Sequence, residues 1–325
     1  MAFDLKGKSL LTLKDFSKKD IDYLLYLAME LKNTKNSDSF EKKLNGKNIA
    51  LLFEKTSTRT RCAFVTAAFN EGAHAEFLGK NDIQFGKKES VSDTARVLGR
   101  MFDGIGFRGF KQETVEILAK YSGIPVWNCL TDPYHPTQAL ADFMTIQEKF
   151  GFLKSVKLAY IGDGRNNVAN SLMIGASKIG MDIRIIAPRV LFPKNELVEE
   201  CKEFASGSGA NIILTESIEE GVKGCKVIYT DIWSSMGEED KIEERIELLK
   251  PYQVNMDMIN LVENDNVIFM HCLPSFHNLE TEIAQKYPNI CEVTDEVFED
   301  RHSRVFDQAE NRLWTIQAIM VASLT

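Results

Sequence analysis

Residues 49–61 read IALLFEKTSTRTR, and this stretch sets the fold of the chain. Five apolar residues are followed by a loop rich in hydroxyl groups and then by the start of a helical pattern. This succession predicts a buried strand, a loop and a helix. Short apolar runs and helical patterns keep alternating along the rest of the chain, which is typical of parallel α/β proteins.

The loop after this first strand is suited to bind phosphate. The start of a helix offers unpaired backbone N–H groups and the positive end of the helix dipole. Ser57, Thr58 and Thr60 add hydroxyl groups, and Arg59 and Arg61 add guanidinium groups that can bind phosphate oxygens in pairs. The pattern predicts a site for a small phosphorylated ligand. The alternative is that the hydroxyls only cap the helix and that the arginines are solvated.

Length and composition exclude several classes of protein. The chain has 325 residues, of which 44% are hydrophobic and 26% charged, so we expect a globular protein of two domains of about 150 residues each. A formal charge of -8 argues against nucleic acid and against an anionic membrane surface as partners. No apolar run approaches the roughly 20 residues that cross a bilayer.

The cysteines and the N-terminus indicate a cytoplasmic protein. Six cysteines, at positions 62, 129, 201, 225, 272 and 291, show no metal-ligand spacing, which suits free thiols in a reducing compartment. The N-terminal residues contain an acid at Asp4 and no long apolar segment, so they do not resemble a signal peptide.

The apolar runs predict one parallel sheet in each half of the chain. The strands are expected near residues 48–53, 73–78, 104–107 and 125–128, and then near 156–161, 183–186, 212–214, 227–229 and 267–270. Helices are expected near residues 60–70, 92–101, 114–122, 136–150 and 310–324. We therefore predict an α/β fold of two doubly wound parallel-sheet domains joined by interdomain helices. The first domain would span residues 1–150 with a C-terminal helix at about 306–325 packing back on it, and the second would span 151–305.

Three residues beyond the first loop are candidates to bind the same ligand. Arg108 follows a predicted strand, where it can polarise a carbonyl oxygen or bind phosphate, although an exposed loop arginine would look the same. His135 and Gln138 are spaced i and i+3 at a helix start, so they project together toward one polar group. For His135, a capping role is the alternative.

The loop Gly162-Asp163-Gly164-Arg165-Asn166-Asn167 looks like a dinucleotide fingerprint, but it departs from that pattern. Asn167 stands at the third glycine position, and Asp182 precedes its strand instead of ending it. The acid that would bind ribose is therefore missing. Asn167 is better suited to the backbone groups of an amino acid.

Two loops in the second half carry further polar groups. Asp231 ends a predicted strand before a loop of small residues, where its carboxylate can hold an ammonium group. The same sequence pattern would also occur in a surface turn. His271-Cys272-Leu273-Pro274 places a thiol at a strand end before a proline that can be cis. Zinc binding through His271, Cys272 and His277 is disfavoured because adjacent ligands point apart and a fourth is missing. A buried, inert cysteine is the other alternative.

Together these motifs resemble the aspartate/ornithine carbamoyltransferase family over almost the whole chain, from Leu5 to Arg312. The resemblance is carried, in the family's order, by STRTR at 57–61, HPTQ at 135–138, Asp231 with SMG at 235–237, and HCLP at 271–274. It implies transfer of a carbamoyl group from carbamoyl phosphate to an amine, without a cofactor or metal. The SMG loop and the HCLP thiol imply that this amine is the δ-amine of L-ornithine and that the products are citrulline and phosphate.

The resemblance also implies roles for individual residues. The residues that match carbamoyl phosphate contacts are Ser57, Thr58, Arg59, Thr60, Gln84, Arg108, His135, Gln138, Cys272, Leu273 and Arg312. The residues that match ornithine contacts are Asn167, Asp231, Ser235 and Met236. Catalytic roles fall on Arg108, His135, Asp231, Cys272 and Arg312. Family members take the residue near Gln84 from a neighbouring subunit, which implies a homotrimer with shared sites. A transferase for another amine such as putrescine, or a non-catalytic sensor of the phosphate ligand, are the competing hypotheses.

Overall fold

The computed structural model describes residues 5–35, 37, 40–84, 88–234 and 239–325. The chain divides into two compact units, Met1–Met144 with Glu310–Thr325, and Thr145–Ala309. We call them unit 1 and unit 2. The division falls inside two helices, and the predicted boundary at residue 150 lies at the end of the first of these.

Nine strands occur in the described residues, namely β1 (Asn48–Phe53), β2 (His74–Gly79), β3 (Gly104–Arg108), β4 (Val126–Leu130), β5 (Lys157–Ile161), β6 (Asp182–Ile186), β7 (Ile212–Thr215), β8 (Val227–Thr230) and β9 (Ile268–His271). The α-helices there are α1 (Lys18–Thr34), α2 (Arg59–Asn70), α3 (Val91–Leu98), α4 (Gln112–Ser122), α5 (Pro136–Phe150), α6 (Asn167–Ile179), α7 (Asn195–Ser208), α8 (Ile218–Val222), α9 (Ile242–Leu249), α10 (Met256–Leu261), α11 (Glu282–Lys286), α12 (Asp295–Phe298) and α13 (Val305–Leu324).

Both sheets are parallel, as predicted. Unit 1 has the strand order β2-β1-β3-β4, and unit 2 has the order β7-β6-β5-β8-β9. In each sheet the chain first extends to one side of its first strand and then crosses to the other side. This reversal lies between β1 and β3 in unit 1 and between β5 and β8 in unit 2. Ligands bind at such reversals, beyond the carboxyl ends of the strands.

The predicted elements are present, with shifts at their ends. Strand β1 and helix α5 have the predicted bounds, whereas Arg108 is the last residue of β3 instead of a loop residue. Helix α13 begins at Val305, one residue before the start at about 306 predicted for the C-terminal helix and five before the amphipathic segment expected from Glu310. Gln308, in the first turn of this helix, is fully buried.

A buried carboxylate ties together three parts of unit 1. Glu71, just after α2, is fully buried; its Oε2 accepts a hydrogen bond from the backbone N–H of Lys43 at 2.8 Å, and its Oε1 accepts one from Nε2 of Gln317 on α13 at 2.7 Å. We expect Glu71→Ala to lower the free energy of unfolding by about 2–4 kcal/mol, since the buried amide of Gln317 and the backbone N–H of Lys43 lose their acceptor. Urea unfolding followed by circular dichroism measures this. Glu116→Ala removes an exposed glutamate from α4 and should change stability by less than about 0.5 kcal/mol. Equal effects of the two substitutions would contradict the assignment.

Candidate functional site

The predicted phosphate residues of unit 1 gather at the carboxyl edge of its sheet. Arg312 is 3% exposed and donates from Nη1 to Oε1 of Gln138 at 2.6 Å and from Nη2 to Oγ1 of Thr60 at 3.0 Å. Gln138 in turn donates from Nε2 to Oδ1 of Asp142 at 2.8 Å. The structure thus brings together residues that are up to 252 positions apart in the sequence. Polar side chains buried and bonded in this way hold a guanidinium in one fixed orientation.

His135 is surrounded by positive charge. It is 5% exposed, and burial followed by the guanidinium groups of Arg312, Arg108 and Arg59 holds its pKa well below the usual value of 6.5. The imidazole is therefore neutral near pH 7, and it can donate to a neutral oxygen without adding charge. Arg108 is itself buried, and its Nε donates to the backbone oxygen of Thr56 in the loop after β1 at 3.3 Å. Three cations around a neutral histidine make an environment for a multiply charged anion.

Residues at the start of α2 cap this helix and also contact the cluster around Arg312. The hydroxyl of Ser57 accepts a hydrogen bond from the backbone N–H of Thr60 at 3.2 Å, so Ser57 does have the capping role that was the alternative. Thr58 is exposed and Arg59 is partly exposed. The two arginines have different surroundings: the guanidinium of Arg61 lies 3.7 Å from the ring centre of Phe77, whereas that of Arg59 acts on His135.

Lys55 is one of the basic residues, with Arg59, Arg61 and Arg108, that the sequence offers for a local pocket that binds an anion. Its ammonium is 2.7 Å from Oδ1 of Asp132, in the loop between β4 and α5, and lies 4.2 Å from the ring centre of Phe110, in the loop between β3 and α4. Lys55 therefore connects three loops at the same sheet edge.

Gln84 does not lie in the cluster just described. Its side chain is exposed, and its backbone oxygen accepts hydrogen bonds from the N–H groups of Lys88 and Glu89. Residues 85–87 of the same predicted segment lie outside the described residues.

In unit 2, Asp231 and Cys272 meet at the carboxyl edge of the second sheet. The thiol of Cys272, directly after β9, donates to Oδ1 of Asp231, directly after β8, at 3.0 Å. The same carboxylate oxygen accepts from the backbone N–H of Ile232 at 2.8 Å. Its other oxygen accepts from Nδ2 of Asn166 at 2.9 Å. Burial raises the pKa of Asp231, whereas His271, Cys272 and the Ile232 N–H lower it.

A buried histidine and glutamate hold the loop that carries the thiol. Nδ1 of His271 accepts from the backbone N–H of Leu273 at 2.9 Å, so the ring proton is on Nε2. Nε2 lies 3.0 Å from Oε1 of Glu292, at ion-pair distance but without hydrogen-bond alignment. That oxygen also accepts from the hydroxyl of Ser275 at 2.7 Å and from the N–H of Phe276 at 2.8 Å. Glu292 was not identified from the sequence.

The ligand atoms of Asp231, His271 and Cys272 lie within 4.8 Å of one another. This group differs from the zinc set considered above, because His277 instead places Nδ1 2.6 Å from Asp295 and stacks on Phe298. Both ring nitrogens of His271 already face protein groups. The arrangement is better suited to proton transfer or ammonium binding than to a metal.

The other predicted ornithine residues are placed only in part. Asn167 is the first residue of α6 and is partly exposed. Leu273 has a φ of 57°, an uncommon conformation for a branched side chain, and the Leu273–Pro274 peptide is cis, as considered from the sequence. Ser235 and Met236 lie outside the described residues. Within the described residues, no helix has the length and apolar character needed to cross a membrane.

Comparison with known proteins accounts for both units. Residues 8–148 match the carbamoyl-P binding domain of aspartate/ornithine carbamoyltransferase, and residues 154–323 match its Asp/Orn binding domain. A curated relative from Bacillus licheniformis, named catabolic ornithine carbamoyltransferase, is 60% identical over 99% of this chain and 97% of its own length. A relative of the same name from Streptococcus gordonii is 56% identical over 98% of this chain and 96% of its own.

Solved structures agree with the sequence comparison. Ornithine carbamoyltransferase from Pyrococcus furiosus is 40% identical, with a TM-score of 0.91 over 99% of each chain. The enzyme from Thermus thermophilus is 36% identical, with a TM-score of 0.84 over 98% of this chain and 99% of that one. The chain belongs to the aspartate/ornithine carbamoyltransferase family.

Proposed function

We propose that the chain is an ornithine carbamoyltransferase, which transfers the carbamoyl group of carbamoyl phosphate to the δ-amine of L-ornithine and releases L-citrulline and phosphate. The observation that carries this proposal is the buried cluster in unit 1, where Arg312 is hydrogen-bonded to Gln138 and Thr60, and where burial and three guanidinium groups lower the pKa of His135. A phosphate dianion next to an uncharged carbonyl is the ligand that this charge pattern fits. The names of the curated relatives support ornithine as the amine.

In this proposal unit 1 binds carbamoyl phosphate. The loop and helix start at Ser57, Thr58, Arg59 and Thr60 hold the phosphate, as the positive end of α2 favours an anion there. Arg108, His135 and Gln138 contact the carbamoyl portion, and Arg312 is held against the same ligand by Gln138 and Thr60. A neutral His135 suits the carbonyl oxygen, which becomes negative only in the transition state.

Unit 2 binds ornithine in this proposal. Asp231 holds the α-ammonium group, and Asn167, Ser235 and Met236 bind the rest of the amino-acid end. Cys272 and Leu273 contact the reacting amine and the carbamoyl group. Support comes from the hydrogen bond between Cys272 and Asp231, which directs a carboxylate and a thiol to one place.

The chemical step forms one bond and breaks another. The δ-nitrogen attacks the carbamoyl carbon to give a tetrahedral intermediate, the bond from carbon to the phosphate oxygen breaks, and phosphate leaves with that electron pair. The nucleophile must be the free amine, whose pKa in water is close to the ~10.4 of lysine. A cationic environment lowers this pKa, and Cys272 or Asp231 can accept the released proton.

A colorimetric assay for carbamoylated amines tests the proposal directly. The purified protein is given carbamoyl phosphate with ornithine, putrescine, lysine or aspartate in separate reactions. We expect product with ornithine at a kcat/KM at least a hundredfold above that for the other three. Preference for putrescine, or no product with any amine, would contradict the proposed function.

We further propose that the protein is a homotrimer whose sites are shared, with Gln84 contributed by a neighbouring subunit. The exposure of Gln84 supports this. Gln84→Ala and Cys272→Ala should each be nearly inactive. Dissociating and reassembling the two together should restore about a quarter of wild-type citrulline synthesis, because some sites then combine an intact Gln84 with an intact Cys272. Each variant reassembled alone is the control. A mixture no more active than the variants alone would contradict site sharing.

We place the protein in the cytoplasm and its reaction in arginine metabolism. All six cysteines lie within the described residues and none forms a disulfide, which supports a reducing compartment. The word catabolic in the relatives' names supports a role in arginine metabolism.

A further inference from the structure

The side-chain amide of Asn166 lies between the start of helix α6, whose first residue is Asn167, and the carboxylate of Asp231. Its Oδ1 accepts a hydrogen bond from the backbone N–H of Ala169 at 2.8 Å, which makes Asn166 the N-cap of α6. Its Nδ2 lies 2.9 Å from Oδ2 of Asp231 and 2.6 Å from the hydroxyl of Tyr160. Every hydrogen-bonding group of the amide is therefore used.

The orientation of this amide is fixed by chemistry. A backbone N–H can only donate, so the atom facing Ala169 must be the amide oxygen. The NH₂ group then necessarily faces Asp231 and Tyr160. One N–H of this group donates to each acceptor. Oδ2 of Asp231 therefore accepts from Asn166, while Oδ1 accepts from Cys272.

We propose that Asn166 is a positioning residue for the reaction, whose amide donates to the carboxylate of Asp231 and holds it directed at the ammonium group of the amino-acid substrate. This inference rests on the proposed function. It assigns to Asn166 a task separate from that of its neighbour Asn167, which the sequence pattern placed in the site. Asn166 acts through Asp231 and not on the substrate.

The surroundings of Asp231 raise its pKa, so each donor to its carboxylate matters. Burial raises the pKa of Asp231, and the nearby carboxylate of Glu292 raises it further, while His271, the thiol of Cys272 and the Ile232 N–H oppose this. Tyr160 adds no charge, since burial and the acids around it raise the pKa of its hydroxyl well above 10.0. Replacing the Asn166 donor by a second carboxylate would make two like charges share one site, where only one ionises readily.

Asn166→Asp separates the positioning role from the capping role. Aspartate caps a helix as well as asparagine, so a purely structural residue would tolerate this change. We expect the KM for ornithine to rise about tenfold at pH 6.5, and the ratio of variant to wild-type KM to shrink toward pH 9 as Asp231 ionises. The KM for carbamoyl phosphate should stay within about twofold.

Asn166→Ser is the second variant. Serine also caps but is too short to reach Asp231 and adds no charge, so we expect a threefold or larger rise in the KM for ornithine whose ratio does not change with pH. Thermal unfolding of both variants controls for folding. A KM for ornithine within twofold of wild type in both variants, or equal losses for both substrates, would overturn the inference. Failure of the wild-type protein to make citrulline would instead overturn the proposed function.

Discussion

Arg59→Gly is expected to lower kcat/KM for carbamoyl phosphate about a thousandfold and to leave the protein folded. Arg59 is the first residue of α2 and one of the guanidinium groups that act on His135. Removing a single oriented donor to a developing oxyanion typically costs a hundredfold to a thousandfold in rate, and here a full positive charge is lost as well. Arg59 is only partly buried, so its loss leaves no large cavity.

Arg61→Gly provides the matched comparison, since it removes the same side chain from the same turn of the helix. Because the guanidinium of Arg61 packs on Phe77, we expect kcat/KM to fall by less than tenfold. Citrulline formation at varied carbamoyl phosphate concentration measures both variants, and circular dichroism reports their folding. If Arg59→Gly kept most of the wild-type activity, the phosphate assignment at residues 57–60 would be wrong.

Arg59 and Arg61 show which structural features a local sequence pattern can predict and which it cannot. The sequence predicted the strand, the loop and the helix around them, because apolar runs and helix starts are local features. It offered Arg59 and Arg61 alike as phosphate ligands, although residues two apart on a helix do not share a face. Once the helix is placed, the guanidinium of Arg59 is among the groups that act on His135, and that of Arg61 lies on the ring of Phe77.

Contacts between residues far apart in the sequence could be predicted only where the family resemblance supplied them. Arg312 meets Thr60 across 252 positions, and nothing local to either residue indicates the pairing. The contact of His271 with Glu292 escaped for the same reason, as did the contact of Asn166 with Asp231 across 65 positions. These contacts depend on which strands are neighbours, and the order of strands in a sheet is set by packing of the whole unit.

Asp231→Asn is the second substitution with a large expected effect. It keeps the size of the side chain but removes the charge that holds the ornithine ammonium in the proposed site. We expect kcat/KM for ornithine to fall about a thousandfold, equivalent to about 4 kcal/mol of transition-state stabilisation. The KM for carbamoyl phosphate, bound by unit 1 in this proposal, should change by less than about threefold. Steady-state citrulline assays at varied concentrations of each substrate separate the two effects.

The hydrogen bonds of Asp231 provide a control for structural damage. The Oδ1 atom accepts from Cys272 and Ile232, and Oδ2 accepts from Asn166. In Asp231→Asn the new NH₂ group would face the NH₂ group of Asn166, which places two donors against each other. The double variant Asp231→Asn with Asn166→Asp restores a donor opposite an acceptor, so its thermal stability should exceed that of Asp231→Asn. It should remain nearly inactive, because its carboxylate is displaced from position 231 to position 166. Recovery of citrulline synthesis together with stability would show that Asp231 serves the fold and not the binding of ornithine.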